Sequence, residues 1–289
     1  MDIPDTVKSL PEDLESIALD KFDKLQEKGD LLYIPPRHHV VTHDGFTFDF
    51  IISEVLTKKP QLADAAQKPG GPFPNPDPSY IVAPFVGPDH YLTLNKYSVS
   101  RPQYILPTLT YSPQASQLTP SDLSAAFAVL LSLKTEHMVI YNCGPAAGAS
   151  QGHKHLQILP VQRAAGFRFF TDDISIPTER PVVVEGVPHR CFVVAVPDEA
   201  KVEDLVARHE QLLALTYAAL DRVSAARNYN IIIAKSWMMA IPRAHRDRDG
   251  IATNAMGMVG VCWVKHEEEM RGWERLGWGE HLKWLGMSA

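Results

Sequence analysis

His153, His155 and Gln157 stand at alternate positions near the end of the stretch N-C-G-P-A-A-G-A-S-Q-G-H-K-H-L-Q-I-L-P, residues 142–160. In a strand, side chains two apart share a face, so these three polar groups would project together while Lys154, Leu156 and Ile158 project from the other side. The loop before them holds Gly144, Gly148 and Gly152, residues that tolerate positive φ and let backbone N–H groups approach an anion. Phosphate is the natural guest. A largely neutral imidazole beside a phosphoryl group can attack phosphorus, and His155 sits at the centre of the array. An H-x-H pair taken alone more often means metal ligation, exposed histidines or chance. Gln157 moves the reading towards phosphate, since an amide is a poor zinc ligand but a good partner for phosphate oxygens, and no Cys-x-x-Cys precedes the pair.

H-K-H-L-Q following N-x-G-x(3)-G-x-S-Q resembles the active-site motif of the histidine-triad superfamily. More narrowly it resembles the diadenosine tetraphosphate phosphorylases, also called ATP adenylyltransferases, relatives of the galactose-1-phosphate uridylyltransferases, which carry Gln where the hydrolases carry a last His. Further blocks in the expected order are residues 85–96 with N-K-Y, 229–243 and 254–265. The resemblance implies that His155 is a nucleophile attacking the α-phosphorus of a dinucleoside tetraphosphate. ATP would leave, and inorganic phosphate would discharge the adenylyl-histidine as ADP. It makes His153 the residue that orients loop and nucleophile, and Gln157 the amide that holds phosphate oxygens and cannot protonate a leaving group. Asn142, Gly148, Ala149, Ser150, Gln151 and Gly152 match the phosphate-cradling loop, and Asn95 and Lys96 belong to the N-K-Y block. Asn254, Ala255, Met256 and Lys265 match the region that closes on nucleotide, and Lys58, beside Lys59, matches a substrate lysine. The loop departs from the family in its alanines, Ala146, Ala147 and Ala149, which remove hydroxyl donors but keep backbone ones. No cofactor is implied firmly; a divalent cation such as Mg could accompany the polyphosphate. The whole chain, 1–289, reads as one catalytic domain, with the motif in residues 1–200 and the nucleotide site completed by 201–289.

Composition fits an enzyme of this kind: 289 residues with 45% hydrophobic content can bury a sizeable core. A formal net charge of -6 argues against extended nucleic-acid binding, and no apolar run is long enough to span a bilayer. The N-terminal stretch is too acidic and polar for a signal or transit peptide. Cys143, Cys191 and Cys262 form neither a disulfide framework nor a zinc knuckle, which points to cytosol or nucleus. Cys143, inside the motif, reads as buried filler rather than a reactive thiol.

The elements expected to position the motif are mixed, which predicts an α+β fold with a mainly antiparallel sheet. The resemblance adds that two triad-like halves lie in one chain, although no internal repeat is evident. Helices are expected over 14–28, from Thr119 as N-cap, and over 203–227. Strands are expected over 47–53, 80–83, 90–94, 137–141, 153–159, 182–184, 192–196, 229–234, 237–241 and 258–264, the first with Thr47 and Asp49 opposite Phe46, Phe48 and Phe50. Residues 60–88, with eight prolines, read as an extended loop, either a surface excursion or a lid. Arg243, His245, Arg246 and Arg248 form a basic cluster that either meets distal phosphates or faces water.

Overall fold

The structure is a computed structural model that describes residues 2–59, 73, 75–172 and 174–288. Thr119 accepts the backbone N–H of Asp122, and Asp122 reaches back to the Thr119 backbone, a capping box that opens helix α4 (Pro120–Ser132). That helix packs over a nine-stranded sheet whose order is β3-β4-β5-β7-β6-β10-β11-β9-β8. The strands are β3 (Ile81–Val86), β4 (His90–Leu94), β5 (Tyr104–Pro107), β6 (His137–Cys143), β7 (His155–Pro160), β8 (Val182–Val183), β9 (Phe192–Ala195), β10 (Asn228–Ile233) and β11 (Trp237–Arg243). The pairings are antiparallel across the sheet.

Two halves repeat within this sheet. The run β5-α4-β6-β7, in spatial order β5-β7-β6, matches the run β9-α5-β10-β11, in order β9-β11-β10, where α5 is Val202–Asp221. They meet at β6 and β10, and α4 and α5 share one face. The repeat is invisible in the sequence because the hairpins differ. Residues 144–154 join β6 to β7, whereas 234–236 close β10 onto β11. Only the first half therefore has a loop long enough to surround a ligand.

Alternation along the strands fills two cores. Val139, Tyr141, Leu156, Ile158, Ile231 and Met238 pack under α4, α5 and the N-terminal helices α1 (Ile3–Ser9) and α2 (Leu14–Glu27). Met138, Ile140, Leu159, Ile232 and Met239 face the other way, into a layer built from β1 (Arg37–His43), β2 (Phe46–Ile52), β14 (Val261–Val264) and the C-terminal helices α7 (Glu267–Leu276) and α8 (Trp278–Leu285), against which the short pair β12 (Asp247–Arg248) and β13 (Ile251–Ala252) packs. Among the described residues no helix is long and apolar enough to cross a membrane.

Several expectations are corrected. Asp49, on the side opposite the phenylalanines, is nonetheless buried, its carboxylate 2.8 Å from His38 Nδ1 on the neighbouring strand. Strand β7 starts at His155, and His153 sits in an isolated bridge to Pro113. Helix α5 stops at Asp221 because Ser224 turns into positive φ, at 53°. Met258 belongs to the short helix α6 (Ala255–Met258), capped by Asn254, rather than to a strand. The loop expected over 60–88 gives way to β3, whose Pro84 is tolerated on an edge strand next to a register shift; residues 60–72 and 74 lie outside those described. Helices α1, α7 and α8 and strands β1 and β5 had no counterpart in the sequence reading.

Candidate active site

The glycine loop closes on itself before it meets β7. Gly144 and Gly148 take φ of 88° and 86°, flanking a 3-10 turn at Pro145–Ala147, while Gly152 needs no positive φ and offers its carbonyl to Gln114 N–H at 2.8 Å. Gln114, buried, bridges the splayed mouth of the hairpin. Its Oε1 accepts the His155 N–H at 2.8 Å, and its Nε2 donates to the carbonyls of Asn142 at 3.0 Å and His155 at 3.2 Å.

His155 is held in one tautomer. Its Nδ1 lies 2.9 Å from the His153 carbonyl, an acceptor only, so Nδ1 carries the proton and Nε2 is left with its lone pair on the opposite side of the ring. The imidazole pKa is brought down to about 4, chiefly by burial; the bond to the His153 carbonyl acts against this, and the neighbouring Lys59 and His153 add to the lowering. The ring is therefore neutral and nucleophilic throughout the neutral range. His153 orients it through its backbone. The His153 ring itself turns to Thr108, with Nε2 2.9 Å from both the hydroxyl and the carbonyl, and is edged by Phe73 and Tyr111.

Behind the pair, Lys154 points to the helix face as the alternation requires. Its Nζ lies 2.9 Å from Asp122 Oδ2, and Asp122 Oδ1 lies 2.8 Å from His90 Nε2, all of them buried. Burial works to raise the Asp122 carboxyl, but the His90 bond and the Lys154 charge outweigh it and bring the pKa to about 2. This ion pair ties the residue between the two histidines to the start of α4.

On the other face a row of cross-strand neighbours, Thr93, Ile105, Gln157 and Ile140, runs over β4, β5, β7 and β6. Its outer part floors a cleft lined by His155, Gln157, Ser150, Gln151, Asn95, Lys96, Lys59 and Phe73, together with Tyr80, Tyr91 and Tyr97. Gln157 Oε1 accepts from Gln103 Nε2 at 3.0 Å. Lys59 Nζ lies 3.4 Å from Ser150 Oγ, and burial lowers the lysine pKa.

Most of the sequence-expected residues fall into three groups. His155, Gln157, Asn95, Lys96, Ser150 and Gln151 line the cleft. Asn142, Gly148, Asn254 and Ala255 hold the loop from behind: Asn142 Oδ1 accepts from Asn230 Nδ2 at 2.8 Å and from Ala255 N–H at 3.0 Å, and Asn254 caps α6 against Gly148. Met256 is buried in the core, and neither it nor Ala149 lines the cleft. Lys58 and Lys265 neither line the cleft nor hold the loop. Lys58 ends the short helix α3 (Val55–Lys58) and is exposed, whereas Lys59, where the chain turns extended, reaches inward. Lys265 follows β14, its N–H donating to Glu269 at 2.8 Å. The basic cluster does not meet the cleft. Arg243 is buried, donating to Asn230 Oδ1 and the Thr253 carbonyl, and His245 stacks on Trp284, with Arg248 over the same ring. Cys143 is buried, and burial pushes its thiol up to about 11, as filler requires. Among the described residues no group of three or more His, Cys, Asp or Glu side chains gathers to hold a metal ion.

Gln103, Gln114 and Asn230 were missed. Each is a neutral amide outside the motif, and nothing in local spacing distinguishes it from a surface residue.

The free Nε2 of His155 faces a cleft that also holds Lys59 and Gln157, an arrangement suited to attack on a phosphoryl group as nucleotidyltransferases carry it out. Residues 5–178 match the family model described as the Ap4A phosphorylase N-terminal domain, and residues 185–288 the ATP adenylyltransferase C-terminal domain. The chain belongs to the Ap4A phosphorylase, or ATP adenylyltransferase, family of nucleotidyltransferases. It is 30% identical over 296 residues to Protein APA1 of Saccharomyces cerevisiae, covering 90% of this chain and 89% of that one. To the same yeast's diadenosine 5',5'''-P1,P4-tetraphosphate phosphorylase 2 it is 29% identical over 299 residues, covering 90% of each. The crystal structure of yeast Ap4A phosphorylase Apa2 in complex with Ap4A superposes with a TM-score of 0.81 at 26% identity, over 96% of this chain and 99% of that one. A structure of Apa2 with AMP superposes equally well, also at 0.81.

Proposed function

We propose that the protein phosphorolyses diadenosine tetraphosphate to ATP and ADP, with His155 as the covalent nucleophile and the chain acting as one catalytic domain. The observation that carries this reading is the His155 Nδ1–H bond to the His153 carbonyl, which leaves Nε2 as the basic nitrogen in a cleft lined by Lys59, Ser150 and Gln157. Nε2 forms a bond to the α-phosphorus as the bond from that phosphorus to the bridging oxygen breaks, and ATP leaves with the electron pair. Inorganic phosphate then attacks the phosphoramidate, the P–N bond breaks back to nitrogen, and ADP departs. The tautomer is unchanged at the end of the cycle. Both leaving groups are stabilised without protonation, so an amide at residue 157 serves where a hydrolase needs an acid. Lys59 supplies a positive charge for the phosphates, and a divalent cation such as Mg would arrive with the polyphosphate rather than reside in the protein. Three unpaired, buried cysteines support a reducing compartment, cytosol or nucleus.

Incubation with dinucleotide in the absence of phosphate should trap a species heavier by one adenylyl group, absent in His155→Ala and discharged as ADP on adding phosphate. Turnover without the adduct, or inversion of configuration at phosphorus, would overturn the covalent mechanism. Discharge by water at the same rate as by phosphate would make the enzyme a hydrolase using the same intermediate.

A further inference from the structure

Gln157 has an orientation problem that the motif does not solve. A carboxamide presents either an acceptor or two donors, and the unbridged oxygens of a phosphodiester in the cleft accept hydrogen bonds only. Only the rotamer with Nε2 towards the cleft is useful; its flip would aim a carbonyl at the anion.

The chain of contacts behind Gln157 decides between them. The Val99 backbone N–H donates to Gln103 Oε1 at 3.0 Å. A backbone N–H can only donate, so the Gln103 atom facing it must be the oxygen. Gln103 Nε2 is thereby aimed at Gln157, at 3.0 Å, and since an amide nitrogen only donates, the Gln157 atom facing it must also be the oxygen. The Gln157 NH2 is what remains for the cleft. Gln103 is about 1% exposed, so no water competes for its amide, and the loop it closes, from Asn95 to Gln103, is the one that carries Asn95, Lys96 and Tyr97 to the cleft wall.

Resting on the adenylyl-transfer reading above, we propose that Gln103 is a positioning residue whose amide, polarised by the Val99 N–H, locks Gln157 with its donors facing the transferred phosphate. A glutamine at residue 157 is effective because a second glutamine holds it the right way round.

Gln103→Glu tests this with little change of shape. The introduced carboxylate still accepts from Val99 but offers Gln157 only acceptors, so Gln157 turns its NH2 inward and its carbonyl to the cleft. At pH 8 kcat should fall by roughly 100-fold, the loss typical of removing one donor to a developing oxyanion. As pH falls and the buried carboxyl gains a proton, an O–H donor returns, and activity relative to wild type at the same pH should recover at least 10-fold. Taking that ratio cancels the titration of the substrate and of His155, Lys59, Lys96, Asp77 and the cleft tyrosines, which both proteins share. Gln103→Met, which neither donates nor accepts, should lose about 10-fold in kcat with a flat ratio across pH. If Gln103→Glu does not fold, the methionine variant carries the test, and wild-type kcat in it overturns the proposal. A ratio for Gln103→Glu that is constant with pH overturns it also, because a packing defect would not be reversed by one proton. A wild-type enzyme that turns over dinucleotide without needing phosphate would instead count against the transfer reading and leave the Gln103 ratio still measurable with water as acceptor.

Discussion

Lys58 and Lys59 show how much one residue decides at this site. Lys58 is the last residue of a short helix and Lys59 its C-cap, yet only Lys59 lines the cleft, 3.4 Å from Ser150. A charge-assisted contact of this kind is worth about 1.5–3 kcal/mol, which corresponds to roughly 10- to 100-fold in rate or affinity. Lys59→Ala should therefore reduce kcat/KM by about that factor, while Lys58→Ala should change it less than about 2-fold; the assay is steady-state turnover of the dinucleotide at saturating phosphate. Equal losses in both variants would mean that the stretch after α3 shifts on binding. The sequence contained both lysines but nothing to choose between them, because the choice depends on where the chain leaves the helix.

At the scale of elements, the loop of 144–154 holds its shape because the second half of the chain leans on it. Asn230 and Ala255 both converge on Asn142, Asn230 also donates to the Ala147 carbonyl, and buried Arg243 donates to Asn230. Gly148 is where α6 comes closest: an added Cβ would lie 2.8 Å from the Thr253 carbonyl oxygen and 2.9 Å from Asn254 Cα, both backbone. Gly148→Ala must therefore push α6 off the loop, and kcat/KM should fall by more than about 10-fold with a loss of roughly 1–3 kcal/mol in stability. Gly186→Ala is the matched control, since Gly186 has φ of 77° but nothing within 4 Å of the added carbon. It should lose about 1 kcal/mol from backbone strain and keep its turnover. Thermal melting and kinetics on the two variants separate strain from contact.

Among the described residues, six buried imidazoles have pKa values displaced downward by burial: His155, His209 and His281 to about 4, His189 to about 3, and His137 and His153 in the same direction. In the unfolded chain each returns to about 6.5. The folded state therefore binds fewer protons than the unfolded state below that value, so these groups contribute stability that is full above about pH 6.5 and is lost as pH falls towards 4. The melting temperature should be flat from pH 8 to 7 and drop progressively between pH 6.5 and 4, with more than one proton taken up on unfolding. Calorimetry across that range checks it; an unchanged melting temperature at pH 5 would mean that these rings are charged or solvated in the folded protein.

The alternation of His153, His155 and Gln157, with Lys154 on the far side, was legible in the sequence because a strand has a period of two whatever surrounds it. The Thr119 cap of α4 was equally legible, since the chemistry of a helix start lies within four residues. Tertiary structure decided which nitrogen of His155 is free, which way the Gln157 amide points, that Lys59 rather than Lys58 reaches the cleft, and that Asn254 and Ala255 support the loop from behind. The His155 tautomer is set by a carbonyl only two residues away but depends on how the chain bends there, and the others depend on partners far along the chain, such as Gln103 for Gln157 or Asn230 for Asn142. The repeat of two halves was hidden because its hairpins differ in length and because apolar strand positions can change identity while keeping their pairing, so symmetry survives in the sheet order after it has been lost from the residues.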